Sequence, residues 1–197
     1  KSLPAICKNG HVVADVGGTA RALGKLTYAE STLVKGNADS GMLAGLTGDR
    51  KALRAANAAY RAYRAEFDYA DTARMLTEPD AQPKLDKSVR YTLGLMLTPA
   101  RSLAPAYLPV VGRPINVCAM ASKGCSEACL AFAGHGQFND VQLARQARHG
   151  FMLAHPFDAF VLIGHEIRRA VTAKGAESVA LRLNVLSDYR WERIVPE

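Results

Sequence analysis

The chain has 197 residues, 49% of them hydrophobic and 22% charged, which is the balance of one globular domain or of one domain with a small appendage. It has no uninterrupted apolar run near the ~20 residues that a bilayer requires, and its first residues lack the apolar core of a signal peptide, so we expect neither a membrane span nor secretion. The net charge of +7 favours an acidic partner such as nucleic acid, but basic residues spread over a solvated surface explain it at least as well.

Residues 1–88 predict an N-terminal unit made of a β-hairpin, a long helix and a linker. Residues 11–28 indicate two short strands around a Gly-Gly turn, because paired glycines supply the positive φ of tight hairpins. The segment 35–48 is rich in glycine and polar residues and predicts a connection. The segment 49–76 lacks Gly and Pro and repeats apolar residues at three- and four-residue steps, which predicts the longest helix. Two prolines and several charges predict a linker or surface loop for the rest of the unit.

Residues 89–197 predict a second unit that carries the cysteine motif. A strand is expected within 89–100, helices over 139–154 and 156–175, and a β-branched strand over 178–188. The order of strand, cysteine segment, helices and strand is typical of crossover connections between parallel strands.

These elements predict an α/β fold with a parallel or mixed sheet and crossover helices, in the manner of a partial (β/α) barrel. The N-terminal hairpin and long helix would pack with it as one compact unit. The last predicted strand ends close to residue 197, so the sheet is expected to be incomplete at the C-terminus. In such sheets the chemistry gathers at the C-terminal ends of the strands, where the cysteine segment and the residues after the last strand would both lie.

The segment 116-NVCAMASKGCSEACLAFAGHG-136 contains three of the four cysteines, Cys118, Cys125 and Cys129. A helix that starts near Cys125 would place Cys125 and Cys129 on one face, and Cys118 would fold over from the preceding loop. Three convergent thiolates repel one another unless a cation compensates, so a metal is the simplest explanation. A reducing cytoplasm fits such a cluster better than a secreted disulfide framework does.

The metal remains open on the residues alone. Three cysteines with one open position suit a [4Fe–4S] cluster. A structural zinc needs four protein ligands, and the fourth would be Cys7, His135 or a remote residue. His135, which lies between two glycines, is the best candidate for this ligand or for a proton carrier. Buried cysteines that behave as small hydrophobic side chains, with no metal at all, are the third alternative.

A second group of polar residues follows the last predicted strand. We expect Arg182, Asn184 and Ser187 to bind a cofactor or ligand, and Asp188 and Glu192 to act as catalytic groups. The alternative is that the serine and the two acidic residues only cap the next helix.

Two further pairs lie on the predicted helices. Arg145 and Arg148 are one turn apart and would either hold a phosphate or carboxylate or face solvent. His165 and Glu166 suggest a metalloprotease motif, but Arg169 stands where the second histidine would be, so that activity is not expected. Glu166 would instead pair with Arg169 on the surface or face the cysteine site.

The segments YTLGLMLTPARSLAP, VCAMASKGCSEACLAFAGHG, VQLARQARHGFMLAHPFDAFVLIGHEI and LRLNVLSDYRWE occur in this order and resemble the phage "gene product eighty-eight" family over about residues 91–197. The resemblance implies a bacteriophage or prophage protein that works in the host cytoplasm. That family is largely uncharacterised, so the resemblance implies an origin and no particular reaction.

The cysteine segment is also similar, more distantly, to the radical S-adenosylmethionine superfamily. In that superfamily a cysteine loop after the first barrel strand holds a [4Fe–4S] cluster. This likeness implies that Cys118, Cys125 and Cys129 are cluster ligands and that S-adenosylmethionine is a cofactor. The three cysteines match the superfamily's motif by their order and context, because their spacing differs from it.

The preferred prediction is an iron–sulfur phage protein, an enzyme of radical or redox type that acts on a small molecule or nucleotide. The alternative is a non-enzymatic nucleic-acid-binding protein in which zinc holds the cysteine loop. Arginines of the helices predicted over 49–76 and 139–154 would then contact phosphates. A metal-free interaction protein is the third and weakest hypothesis.

Overall fold

The structure of the protein is a computed structural model. In the part of the chain that the structure describes, helices account for most of the regular structure and the strands form two small separate sheets. The described residues are 6–8, 11–16, 19–25, 27–66, 74–98, 118, 122–129 and 134–195.

The first sheet is antiparallel and has the order β1 (Ile6–Lys8), β2 (His11–Val16) and β3 (Thr19–Lys25). In the β2–β3 pair, Val16 lies opposite Thr19, and the register shifts once near the other end of the pair. The two strands that the sequence predicts around the paired glycines are therefore present, although the glycines themselves lie outside the described residues.

Helix α1 (Tyr28–Lys35) begins with a capping box. The Thr27 hydroxyl accepts a hydrogen bond from the Glu30 N–H, and the Glu30 carboxylate accepts one from the Thr27 N–H at 2.8 Å. Glu30 is buried and also accepts hydrogen bonds from the Arg190 backbone N–H at 3.1 Å and from Arg190 Nε at 2.7 Å. This carboxylate therefore ties the first helix to the C-terminal segment.

Helix α2 (Ala38–Thr47) occupies the segment 35–48, which was predicted to be a polar connection, so that prediction is wrong. The glycines that argue against a helix are used for close packing. A Cβ built on Gly45 would lie 2.3 Å from the Val161 carbonyl oxygen, and one on Gly164 would lie 2.5 Å from the Met42 carbonyl oxygen. Only residues without a side chain allow two helix backbones to approach so closely.

Helix α3 (Arg50–Glu66) is shorter than the predicted helix over 49–76. Its predicted apolar face is confirmed where it is described, because Ala56, Tyr60 and Tyr63 are buried. The predicted Phe67 lies outside the described residues. Residues 74–77 are not helical, and Thr77 instead forms a short antiparallel bridge to Gly94, with N–H···O distances of 2.8 and 2.9 Å.

The second sheet has two parallel strands, β4 (Tyr91–Gly94) and β5 (Val179–Arg182). In the described part of the connection between them, the helices are α5 (Lys123–Glu127), α6 (Asn139–Ala154) and α7 (Pro156–Lys174). A single helical turn, α4 (Pro83–Asp86), precedes β4. The bounds of α6 and α7 agree with the prediction. The strand predicted over 178–188 is present only in its first part, and the segment predicted as a linker before β4 has short helical turns.

The predicted α/β fold with a partial barrel is wrong. A barrel or a doubly wound sheet needs many parallel strands side by side, whereas β4 and β5 form a two-stranded sheet in the described part of the chain. The main core lies among the helices and is completed by β4 and by Tyr189, Trp191 and Ile194 near the C-terminus.

No helix among the described residues is both long and apolar enough to cross a membrane.

Candidate functional site

A cleft of about 690 Å³ opens beside the C-terminal end of β4 and the first half of α6. Its size is within the roughly 300–1,000 Å³ of typical small-molecule sites. Met96 and Leu186, which follow β4 and β5, contribute to the lining, so the cleft lies where parallel sheets usually place their ligands. The other lining residues are Thr77, Ala81, Gln82, Gly134, His135, Gly136, Asp140, Val141, Ala144, Arg145 and Arg148.

Two arginines of α6 stand at the wall of this cleft. Arg148 Nε donates to the Arg74 carbonyl oxygen at 2.9 Å, and its Nη1 donates to Thr77 Oγ1 at 3.2 Å. Arg145 is only 4% exposed, and its Nη1 lies 3.4 Å from the Gly136 carbonyl oxygen. Burial lowers the pKa of both guanidinium groups, and the charge of Arg148 lowers the pKa of Arg145 further. The sequence left two roles open for this pair, ligand binding or exposure to solvent. The structure places both arginines against the cleft.

Two cysteines interact with residues that line this cleft. The half-buried Cys118 donates a weak hydrogen bond from Sγ to the carbonyl oxygen of Leu186, a cleft residue, at 3.6 Å. Cys129 is also half-buried, and its electrostatic interaction with Arg145 partly offsets the lowering of the pKa of that guanidinium by burial. Cys125 is exposed.

The local structure of the cysteine segment differs from the prediction. The expected helix from Cys125 onward is instead the five-residue α5, which ends before Cys129. Ser122 caps this helix, its hydroxyl accepting a hydrogen bond from the Cys125 N–H at 3.1 Å. The one-face argument for Cys125 and Cys129 is therefore wrong, because the second cysteine is not helical. Among the described residues, no three His, Cys, Asp or Glu side chains converge as a metal site.

Asn184 organises the segment that follows β5. Its Oδ1 accepts hydrogen bonds from Trp191 Nε1 at 2.7 Å, the Tyr189 N–H at 3.2 Å and Ser187 Oγ at 3.3 Å. Its Nδ2 donates to the Tyr189 carbonyl oxygen at 2.8 Å. The side chain therefore closes a turn from residue 184 to residue 191.

The other predicted site residues are spread over this region. Ser187 is buried, whereas Arg182, Asp188 and Glu192 are exposed. His135 is exposed on a short 3-10 turn at the rim of the cleft, where its ring stacks on Phe138 with centroids 5.3 Å apart. Only His135 of these residues lines the cleft.

A buried polar chain that sequence reasoning missed runs through the core beside the site. His149 is fully buried; its Nδ1 is hydrogen-bonded to Thr98 Oγ1, and its Nε2 lies 2.9 Å from Tyr189 Oη. Burial lowers the pKa of His149 to about 3, so the imidazole is neutral in the folded protein near pH 7. The sequence shows only a histidine on the buried face of a predicted helix. Its hydrogen-bond partners are 51 and 40 residues away along the chain, so local spacing does not reveal them.

Glu166 serves neither of the two predicted roles. Its two oxygens accept hydrogen bonds from the backbone N–H groups of Met75 and Leu76, both at 2.8 Å. Burial raises the pKa of Glu166 to about 7 even though these donors favour the charged form. The expected partner Arg169 instead lies 3.6 Å from Glu78.

A family model described as Gene product 88 matches residues 67–197, more than half of the chain. No curated protein and no solved structure matches the chain. The matched range includes all three clustered cysteines, the cleft-lining residues and the turn organised by Asn184. This result confirms the predicted resemblance to a phage gene-product family and extends it toward the N-terminus. The chain belongs to the Gene product 88 family.

Proposed function

We propose that this protein binds a small organic molecule in the cleft and acts on it with chemistry that the cysteine segment supplies. The observation that carries the proposal is the position of Cys118 and Cys129. They come from opposite ends of the segment, yet Cys118 contacts Leu186 and Cys129 interacts electrostatically with Arg145, and both Leu186 and Arg145 line the cleft.

The fold supports this arrangement through its two parallel strands. Both β4 and β5 run toward the cleft, so the residues that follow them are held at one edge of the sheet. Leu95 N–H donates to the Arg182 carbonyl oxygen at 2.9 Å, which continues the pairing up to the start of the cleft. A thiol site and a ligand site at the same sheet edge are the usual layout of an enzyme built on parallel strands.

For the group held by the thiols, our proposal is an iron–sulfur cluster, with zinc as the alternative. Cys125 is exposed and stands apart from any group of three ligands in the described chain, so binding would draw it toward Cys118 and Cys129. Thiolates bind either metal, and a bound cluster would supply redox or radical chemistry next to the cleft. S-adenosylmethionine is one occupant of the cleft that such a cluster would suit. The setting we propose is the host cytoplasm, whose reducing conditions keep the thiols free.

The test is iron, zinc and sulfide analysis, with a visible spectrum, on the full chain purified without oxygen. We expect about four iron and four sulfide per chain and absorbance near 400 nm. The variants Cys118→Ala, Cys125→Ala and Cys129→Ala should each lose both signals. Cys7→Ala is the matched control, because Cys7 lies outside the family match, and it should keep them. A metal-free wild-type chain would refute the metal part of the proposal.

A second candidate function is nucleic-acid binding, and helix α3 favours it. Arg50, Arg54 and Arg61 are exposed and lie within about 40° of one another around the helix axis, opposite the buried Tyr63. Such a stripe would contact phosphates, and its binding would weaken steeply with salt.

Filter binding of single-stranded and duplex DNA and RNA at several salt concentrations tests this alternative. The double variant Arg54→Gln/Arg61→Gln should lower the slope of log affinity against log salt by about 1 to 2, since each lost phosphate contact removes nearly one unit. Zinc in place of iron, together with this salt dependence, would favour the alternative over the enzyme. Binding that is unchanged in the double variant would exclude the α3 surface.

A further inference from the structure

We infer that the cleft is a nucleotide site in which Arg145 and Arg148 hold a phosphate and the apolar wall receives the base. This inference rests on the proposed function only in taking the cleft as the binding site; it needs neither iron nor zinc. It names the class of ligand that the cysteine chemistry would meet.

The two guanidinium groups are held in place before any ligand arrives. The contacts of Arg148 to Arg74 and Thr77 use the Nε–H and one N–H of Nη1, so these contacts do not occupy the second N–H of Nη1 or the Nη2 group. Arg145 is buried one turn away and is directed by the Gly136 carbonyl oxygen. Fixed donors lose little conformational entropy on binding, so they are suited to recognition of a phosphate.

The charge of the lining selects an anion. Asp140 is the one carboxylate among the lining residues, against two guanidinium groups. Burial lowers the pKa of Arg145 and the charge of Arg148 lowers it further, and a negative group between the two guanidinium groups would offset both effects. An anion is therefore bound more strongly than a neutral molecule of the same shape.

The size and the remaining lining exclude inorganic phosphate as the complete ligand. Met96, Val141, Ala144 and Leu186 form an apolar wall next to the arginines. A space of about 690 Å³ accommodates a flat organic group as well as a phosphate. At the rim, the stacked rings of His135 and Phe138 offer an aromatic surface to a base.

The acceptors and donors at the opening fit a sugar. The Asp140 carboxylate can accept hydrogen bonds from ribose hydroxyls, and the Gln82 amide can both donate and accept. Phosphate, apolar flat ring and hydroxyl groups occur together in a nucleoside phosphate. An aliphatic dicarboxylate would satisfy the arginines but would leave the apolar wall and the aromatic rim without a contact.

The experiment is isothermal titration calorimetry of the full chain, purified without oxygen, with the four common nucleoside monophosphates and diphosphates. The comparison ligands are the matching nucleosides, inorganic phosphate and succinate. We expect at least one nucleotide to bind about tenfold or more tightly than its nucleoside, phosphate or succinate, since a charge-assisted bidentate contact contributes at least that factor. Equal affinity for nucleoside and nucleotide, or tighter binding of succinate, would overturn the inference.

Two variants locate the ligand. Arg145→Lys keeps the charge but not the forked donors and should weaken nucleotide binding about tenfold or more. Ala144→Leu adds bulk to the apolar wall and should weaken the nucleotide without improving phosphate binding. Arg90→Lys, at an exposed arginine outside the cleft lining, is the matched control and should bind like the wild type. Circular dichroism and thermal unfolding establish that each variant is folded, and folded cleft variants that bind like the wild type would overturn the inference.

The same titration with Cys118→Ala separates this inference from the metal proposal. Nucleotide binding by a folded Cys118→Ala chain that holds no metal supports the inference, whatever the metal analysis gives. A wild-type chain that contains an iron–sulfur cluster and binds no nucleotide overturns the inference and leaves the metal proposal standing.

Discussion

Helices α2 and α7 pack so closely that a Cβ on Gly45 would lie 2.3 Å from the Val161 carbonyl oxygen. The segment after β5, by contrast, is held by polar side chains. Asn184 makes four hydrogen bonds within the turn that it closes, and His149 and Glu30 reach the same segment from the helices. One region depends on the absence of side-chain volume and the other on the presence of polar atoms.

This difference separates scaffold from site. The atoms that a Cβ on Gly45 or Gly164 would meet are backbone atoms, so the contribution of this contact to stability should depend mainly on volume. The polar region borders the cysteine segment and the cleft, and it contains the hydrogen-bonded pair His149 and Tyr189, in which burial lowers the pKa of the histidine and raises that of the tyrosine. Substitutions that change charge should therefore alter stability most near the site, and substitutions that change side-chain volume should alter it most at the α2–α7 contact.

The largest effect is expected from Gly45→Ala. The new methyl would meet backbone atoms of α7, which cannot rotate away, so the helices must separate at a cost of about 3 kcal/mol. For a chain of this size that corresponds to a fall in melting temperature of about 6–12 °C, measured by calorimetry. Gly124→Ala is the control: its Cβ would meet nothing within 4 Å, and it should change the stability by less than about 1 kcal/mol. Equal effects of the two substitutions would contradict the close-packing argument.

The next effect is expected from Asn184→Ala. The substitution removes an oxygen that accepts three hydrogen bonds and leaves the Trp191 indole N–H without its partner, which should cost about 2 kcal/mol. Trp191 is the only tryptophan of the chain, so its fluorescence reports directly on this turn during urea unfolding. Asp188→Ala changes an exposed neighbour and should leave both the midpoint and the emission nearly unchanged. An Asn184→Ala chain with wild-type stability would show that the turn is held by apolar contacts after all.

A third prediction concerns two opposed titrations. The pKa of His149 is lowered to about 3 by burial, so the unfolded chain alone takes up that proton and stability falls as the pH drops below about 6.5. The pKa of Glu166 is raised to about 7, so the folded chain holds that proton and stability rises as the pH drops from 7 toward 4.5. Each contribution changes by about 2 kcal/mol between pH 7 and pH 5, and in the wild type they nearly cancel.

Single variants should reveal each part. Relative to the wild type, His149→Gln should gain about 2 kcal/mol of stability on going from pH 7 to pH 5, and Glu166→Gln should lose about as much. Urea unfolding at the two pH values measures the stability of both variants. Comparing the change in stability with pH removes the part of each substitution's cost that does not depend on pH. If both variants follow the wild-type pH dependence, the two buried groups do not titrate as their surroundings imply.

The parts of the fold that could be predicted from sequence are those set by local periodicity. Helices α6 and α7 have the predicted bounds because their apolar residues recur at helical spacing, and Pro156 and Gly175 mark the start of α7 and its end. Helix α2 was missed because Gly41 and Gly45 lower its propensity, and only the contact with α7 compensates for this. The barrel was wrong because two strands with crossover helices do not determine how many strands follow.

The site shows the same limit. The cysteine motif is visible in sequence because its members are close together in the chain, and Arg145 and Arg148 are visible as a helical pair. Their meeting at one cleft depends on contacts between distant segments, such as Cys118 with Leu186, which lie 68 residues apart. Asn184 was predicted to bind a ligand, yet its described partners all lie in its own turn, because an amide that follows a strand also suits backbone groups a few residues away.

The smallest effect is expected at Ser122, whose hydroxyl caps α5 at the Cys125 N–H. Ser122→Ala should leave the global melting temperature nearly unchanged, because a five-residue exposed helix contributes little to the core. Loss of the cap costs about 1 kcal/mol locally, which corresponds to about fivefold faster hydrogen exchange of the Cys125 amide. Ser122→Asp supplies another capping oxygen and should restore slow exchange. Equal exchange in the Ala and Asp variants would mean that the cysteine segment is ordered by contacts other than this cap. The polar region would then tolerate the loss of a hydrogen bond better than the comparison with α2 and α7 implies.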